Sequence, residues 1–403
     1  MHITCTNGTP VVGMLDHLPP LPLLLDYGNA RRGVTQTEQD ELGIYHALRL
    51  HDRVYHIELS LQPSILHKVA VLLDGQFPIL EHLSLTSSAG SNSLPPTLRL
   101  PEAFLAPNRR HLALPSVSPP RRLRLLISTL SLVTLELSGI QTTSYFRPRL
   151  LIARLRSLPL LEELFIGFSN PIPRPSTERE LLGEQGAPVT LSNLKKLQFK
   201  GVAAYLESLV AHIRVPLLKQ LLITLFNQIA FALPHVFHLI NATEVFRLRT
   251  AVIYFSYNGI SISTANQWRH EVPFLFRVMC NQLDWQIDCA AQICDALIPM
   301  LSDVERFRLT YYYTKIPTEW QNGGIDATTW HELLRSFTGV KELYIENELS
   351  EELSRALQLG DVGSDPGFLP NLRSINAADN QFTAFINTRQ VVGRPVRFSQ
   401  RWY

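Results

Sequence analysis

One short phrase recurs along this chain, and it constrains the fold more than any other feature. It has nine positions: apolar, small or proline, any, apolar, polar, polar, apolar, any, apolar. Good copies are "FPILEHLSL" (77–85), "TLSLVTLEL" (129–137), "LPLLEELFI" (158–166), "LSNLKKLQF" (191–199), "VPLLKQLLI" (215–223), "LSDVERFRL" (301–309), "FTGVKELYI" (337–345) and "LPNLRSINA" (369–377). Weaker ones are "HDRVYHIEL" (51–59), "APNRRHLAL" (106–114) and "ATEVFRLRT" (242–250). The fourth positions are then Val54, Leu80, Arg109, Leu132, Leu161, Leu194, Leu218, Val245, Val304, Val340 and Leu372. Most steps are 23 to 36 residues; one gap of 59 is long enough to hold a degenerate unit, placed around "FRVMCNQLDWQI" (276–287).

In an L-x-x-L-x-L core the last two apolar positions alternate at period two, as a short strand with one buried face requires. The stretches between phrases carry helical periodicity. "ILHKVAVLLDG" (65–75) puts Ile65, Val69, Leu72 and Leu73 on one stripe; "YLESLVAHI" (205–213), "CAAQICDALIPML" (289–301) and "TTWHELLRSF" (328–337) behave alike. No single unit can bury its own apolar face, but stacked neighbours can. The pattern predicts an α/β leucine-rich-repeat solenoid: an irregular horseshoe with short parallel strands on the concave face and helices on the convex face. Residues 1–50 are expected to form an N-terminal cap or partial first repeat, 51–380 the solenoid, and 381–403 a C-terminal helix/strand tail. The repeat lacks regular asparagines, and the proline-rich stretches 94–107 and 169–188 are expected to loop out.

Composition narrows the function. The 403 residues carry a net charge of +2, with 18% charged side chains, too balanced for a dedicated nucleic-acid binder. Cys5, Cys280, Cys289 and Cys294 are too few and uneven for a disulfide framework and read as buried thiols. The N-terminal stretch has no secretory signature, and no apolar run approaches the ~20 residues of a membrane span. A cytoplasmic or nuclear location is expected.

No GxGxxG, Walker loop, HExxH or GxSxG is present, so neither an enzyme nor a cofactor is expected. His235 and His238 stand at i and i+3 on an expected helix, but no nearby Asp, Glu or Cys completes a set, so no metal site is assigned. Arginines in 119–127 and 146–156 read as the solvated outer face of helices. "EVFRLR" (244–249) reads as a solvated strand face. Trp285 is expected in a strand, packed between Leu283 and Ile287; Trp320 is a candidate surface anchor.

The sixth, eighth and tenth positions of each phrase should point away from the core. The candidate protein-binding residues on this concave face are Glu163, Phe165, Lys196, Gln198, Lys200, Arg306, Arg308, Glu342 and Tyr344. Basic positions flanked by acidic ones suit recognition of a protein segment rather than a repeated polymer.

Several stretches, in order, resemble the F-box and leucine-rich-repeat-like proteins of mushroom-forming fungi: 5–28 ("CTNGTPVVGMLDHLPPLPLLLDYG"), 199–231, 281–309, 329–345 and the tail "INTRQVVGRPVRFSQRWY" (386–403). The likeness spans nearly the whole chain. It implies the substrate-binding part of an F-box protein, the receptor of a Skp1–cullin–F-box ubiquitin ligase. The F-box opening, Leu-Pro-x-Glu before apolar helices, has no counterpart here. "LPPLPLLLDYG" (18–28) is too proline-broken for a helix. Met1 falls where the segment after an F-box would start. Two readings therefore stand: a receptor that engages Skp1 only if an F-box lies upstream, or a stand-alone adaptor or competitor with no ubiquitin role. The expected partner in either is a protein, with no nucleic acid or membrane, and the chain is expected to be a monomer. Leu21, Leu23 and Leu24 are expected to be exposed if an upstream module normally covers them.

Overall fold

The structure, a computed structural model, describes residues 1–17, 19–28, 36–87, 100–117, 119, 123–127, 129–171, 187–226, 232–247, 249–264, 272–280, 283–311, 327–360, 369–377 and 380–400. Most of the insertion at 169–188, part of that at 94–107, and Trp320 lie outside them. The chain divides into two compact units, Met1–Leu218 and Lys219–Tyr403.

In the first unit, eight parallel strands pair in chain order: β1 (Ile3–Cys5), β2 (Leu23–Tyr27), β3 (Val54–Leu61), β4 (His82–Ser87), β5 (His111–Pro115), β6 (Thr134–Ile140), β7 (Glu163–Phe168) and β9 (Lys196–Gly201). The short β8 (Val189–Thr190) and β10 (Ile213–Arg214) pair separately. Between the strands run α1 (Val11–His17), α2 (Glu38–Leu48), α3 (Pro63–Leu72), α4 (Pro148–Leu155) and α5 (Ala203–Val210). One strand per phrase, joined by helices or 3₁₀ turns, is the leucine-rich-repeat fold.

The recurring phrase has a recurring hydrogen-bond pattern. Position four donates its amide to the position-one carbonyl, as Leu161 does to Leu158 (3.3 Å) and Leu194 to Leu191 (3.2 Å). The position-five carbonyl accepts two amides from the next repeat: Glu162 takes those of Lys195 (2.8 Å) and Lys196 (3.0 Å). Positions seven and nine are core, with Leu164, Ile166, Leu197 and Phe199 all at most 1% exposed. Asparagine does have a repeat role, at position three. Asn108, Asn193 and Asn371 each donate a side-chain amide to the position-two carbonyl of the preceding phrase: Pro78 (2.7 Å), Pro159 (2.8 Å) and Thr338 (2.9 Å).

One copy breaks the rule. Arg109 occupies the position-four slot that Leu or Val fills elsewhere, and it is 0% exposed. Its Nη2 donates to the Leu125 carbonyl (2.6 Å), and its guanidinium lies 5.5 Å from the Phe104 ring centre. Nε and Nη1 have no partner among the described residues.

The N-terminal segment departs from expectation. "LPPLPLLLDYG" supplies β2, and because β1 pairs on its outer side, Leu23 is 0% exposed and only Leu21 and Leu24 stay partly accessible. Residues 1–50 contain two strand–helix pairs. Asp40 in α2 ties them together: its carboxylate accepts the amides of Gly8 (2.7 Å) and Thr37 (2.9 Å) and the Thr37 hydroxyl (2.8 Å).

The second unit pairs its strands as β11 (Gln220–Phe226), β14 (Phe274–Met279), β13 (Gly259–Thr264), β12 (Thr250–Ser256), β15 (Arg306–Tyr311), β16 (Glu342–Ile345), β17 (Ser374–Asn376) and β18 (Arg397–Ser399). Its helices are α6 (Pro234–Ala242), α7 (Leu283–Ala296), α8 (Ile298–Leu301), α9 (Ala327–Arg335), α10 (Asn347–Gly360) and α11 (Thr383–Val391). Here the expectation of parallel strands alone fails. β12 and β13 form a hairpin, β13 is antiparallel to both neighbours, and the chain reaches β14 only after β12 and β13. Tyr257 and Asn258 form its two-residue loop, and Gly259 opens β13 at positive φ. The degenerate unit in the long gap is β14 followed by α7. Trp285 consequently sits half-buried on a helix, not in a strand.

The weak copy at 242–250 is also out of register. Glu305 and Arg306 donate both amides to the Arg249 carbonyl (2.9 Å each), and Thr250 faces Arg306, so position five is Arg249 and the phrase runs 245–253. "EVFRLR" is accordingly not a strand: Glu244–Phe246 is a 3₁₀ turn with Phe246 in the core.

Candidate functional site

Because strand side chains alternate, each strand presents two or three side chains opposite the core, and parallel register lines them up in rows. In the first unit the position-six row runs Leu24, His56, His82, His111, Thr134, Glu163, Lys196 from β2 to β9. The position-eight row runs Asp26, Glu58, Ser84, Ala113, Glu136, Phe165, Gln198. Lys200 faces Gly167 one step further.

The nine expected binding residues fall into two groups. Glu163 and Phe165 on β7 face Lys196 and Gln198 on β9, with Lys200 beside them, all in the first unit. Arg306 and Arg308 on β15 face Glu342 and Tyr344 on β16, in the second. Within the latter group the Arg308 guanidinium lies 5.5 Å from the Tyr344 ring centre, and the Tyr344 hydroxyl donates to Glu342 (2.8 Å). One row below, at position five, ion pairs link adjacent repeats: Lys195–Glu162 (2.7 Å), Lys341–Glu305 (2.7 Å) and Arg249–Glu305 (3.4 Å). The Lys341 hydrogen bond is the main cause holding the Glu305 carboxyl below its ordinary pKa. Each group carries mixed charge and one of the candidate aromatic rings, Phe165 in the first and Tyr344 in the second, an arrangement that can meet a polypeptide by complementary contacts.

Two further features were missed from the sequence. Beside the hairpin a pocket of about 300 Å³ is lined by Tyr254, Tyr257, Ser261, Leu275 and Arg277, with Arg277 Nη2 donating to Asn258 Oδ1 (3.0 Å). The other is a histidine column at position six of three successive phrases. The His56 and His82 rings stack (centres 4.2 Å, planes 6° apart), and His111 lies 5.4 Å beyond His82. Glu58 reaches His56 Nε2 (3.7 Å). Burial lowers the pKa of His56 despite Glu58 and Asp26; burial first, then His56 and His111, take His82 down to about 4. Both imidazoles are therefore neutral at pH 7. Aligning the phrases vertically, rather than scanning along the chain, would have found this column.

The histidines singled out earlier behave otherwise. His235 and His238 lie exposed on α6. Among the described residues, the one group of His, Cys, Asp or Glu side chains close enough to share an ion is His56, Glu58 and His82. Arg147, Arg149 and Arg156 are exposed at α4 and its ends. All four cysteines are free and buried, and burial raises the thiol pKa of Cys5 to about 11 and of Cys289 to about 12. Among the described residues no helix is long and apolar enough to cross a membrane.

No protein-family model and no curated protein matches the chain. Among solved structures it is similar to the leucine-rich-repeat-containing protein LegL7 from Legionella pneumophila (12% identity, 98% of this chain and 99% of that one, TM-score 0.31). It is also similar to a TLR13–ssRNA13 complex (13% identity, 96% of this chain and 48% of that one, TM-score 0.33).

Proposed function

We propose that the chain is a non-catalytic protein-recognition scaffold that holds a protein segment on its open strand face, in the cytoplasm or nucleus. The observation that carries this reading is the outward presentation, in register, of acidic, basic and aromatic side chains on the paired strands β7–β9 and β15–β16. A segment laid across such strands meets fixed, alternating charge, which gives specificity and on-rate more than bulk affinity. The finer reading is that it is the substrate-binding part of a Skp1–cullin–F-box receptor. It is supported by the likeness of five ordered sequence stretches to the fungal F-box proteins. A stand-alone adaptor is the alternative, supported by the lack of the F-box opening in "LPPLPLLLDYG".

Lys196→Glu with Lys200→Glu tests the face. Capture of the native partner from cell extract should weaken at least about tenfold, about 1.4 kcal/mol. Unchanged capture removes the β7–β9 face from the reading. Skp1 co-purifying with the protein expressed from its own locus supports the receptor form; a captured partner that is never ubiquitinated, with no Skp1, supports the adaptor.

A further inference from the structure

The histidine column has no role in the scaffold reading. His56, His82 and His111 come from three different repeats, yet parallel register sets them side by side on β3, β4 and β5. Glu58, two residues after His56 on the same face, closes the group. One ligand atom from each of His56, Glu58 and His82 lies within 4.8 Å of the others. We propose that His56, His82 and Glu58 form a binding site for a divalent transition cation, of which Zn²⁺ is the representative.

The chemistry fits that class. Two imidazoles and one carboxylate form a nitrogen-rich set suited to Zn²⁺ or Cu²⁺, whereas Mg²⁺ and Ca²⁺ require oxygen ligands. A tetrahedral ion with bonds of about 2.0–2.1 Å needs ligand atoms roughly 3.3 Å apart and both ring planes aimed at it, so the near-parallel His56 and His82 rings turn out of their stack as they bind. The surroundings leave room for that motion. Ser84 and Ala113, which flank the column in the position-eight row, are small. A Cβ on Gly28 would lie 2.8 Å from Glu58 Oε1, so glycine there gives the carboxylate its place. Asp26, paired with Glu58 across β2–β3, supplies a second carboxylate near the set, of the kind that orients metal-bound histidines. Three protein ligands on an open sheet face leave a fourth position for water or a partner's side chain.

The test uses the untagged full-length chain, stripped with chelator and titrated with Zn²⁺ by calorimetry, with Co²⁺ substitution read by its visible spectrum. The expected result is one saturable Zn²⁺ per chain, a tetrahedral-type Co²⁺ spectrum, and no response to Mg²⁺. His82→Gln and Glu58→Gln should each weaken binding at least about tenfold, while the His235→Gln/His238→Gln double variant retains it. Glu58→Gln keeps the side-chain shape, and circular dichroism of each variant confirms the fold. No saturable binding, or binding that survives both His82→Gln and Glu58→Gln, overturns the proposal and leaves the column as stacked imidazoles only.

Discussion

Replacing Arg109 with leucine should make the first unit more stable, an unusual direction for a fully buried position. Its guanidinium takes the core slot that Leu80, Leu132 and Leu161 occupy in neighbouring repeats, and burial pulls its pKa from 12.5 down to about 9. At about 1.4 kcal/mol per tenfold, keeping the charge there costs about 5 kcal/mol. Leucine removes that cost but loses two contacts. The Leu125 carbonyl loses its donor, worth about 1–3 kcal/mol. The attraction to Phe104 goes as well, worth about 1 kcal/mol. The balance is a gain of roughly 1–3 kcal/mol, in line with buried charges replaced by apolar groups of similar size. For a unit of this length that raises the melting temperature by about 2–4 °C per kcal/mol. Arg109→Ala should forfeit the gain, because the vacated volume adds about 2–5 kcal/mol of cavity cost. Urea titration of the full chain by circular dichroism reads the change, and slower hydrogen exchange of the β5 and β6 amides places it. A lower midpoint for Arg109→Leu than for the parent would refute the reasoning and mean that the buried charge is compensated.

Three further outcomes follow from single side chains. Burial alone would raise the Asp40 pKa, but the hydrogen bonds from Thr37 and Gly8 outweigh it and hold the carboxyl below its ordinary value. Its stabilisation is therefore present above pH ~3.9 and lost as pH falls below that; Asp40→Asn should cost about 1.5–3 kcal/mol at pH 7, a difference that shrinks in acid melts. Gln286, fully buried on α7, donates its amide to the carbonyls of Ser256 (2.9 Å) and Cys280 (2.8 Å), joining the ends of β12 and β14; Gln286→Leu should cost about 2–4 kcal/mol, read by urea titration, by removing both hydrogen bonds. At Gly259 φ is +155° and a Cβ would stand 2.3 Å from the Val278 carbonyl oxygen, so Gly259→Ala should destabilise by about 1–3 kcal/mol and speed exchange of the β13 amides.

The repeat, its strands and their outward positions were legible because each rests on period-two alternation within nine residues. Glu163, Phe165, Lys196, Gln198, Lys200, Arg306, Arg308, Glu342 and Tyr344 could all be assigned to outward positions from alternation alone; their division into two groups came only with strand pairing. The Tyr257-Asn258 turn before Gly259 was equally local, and only the search pattern passed over it. What the hairpin does to the strand order was not local. Whether β14 pairs with β11 or follows β12 depends on hydrogen bonds between residues more than 50 positions apart, which no window contains. The same holds for Arg109: the phrase puts it at an apolar fourth position, but only the neighbouring repeats closing over it bury its guanidinium there. The histidines lie 26 and 29 residues apart along the chain, and register alone brings the first two rings to 4.2 Å. Local alternation decides which way a side chain points; strand pairing decides what it meets there, because that energy arises between segments and not within them.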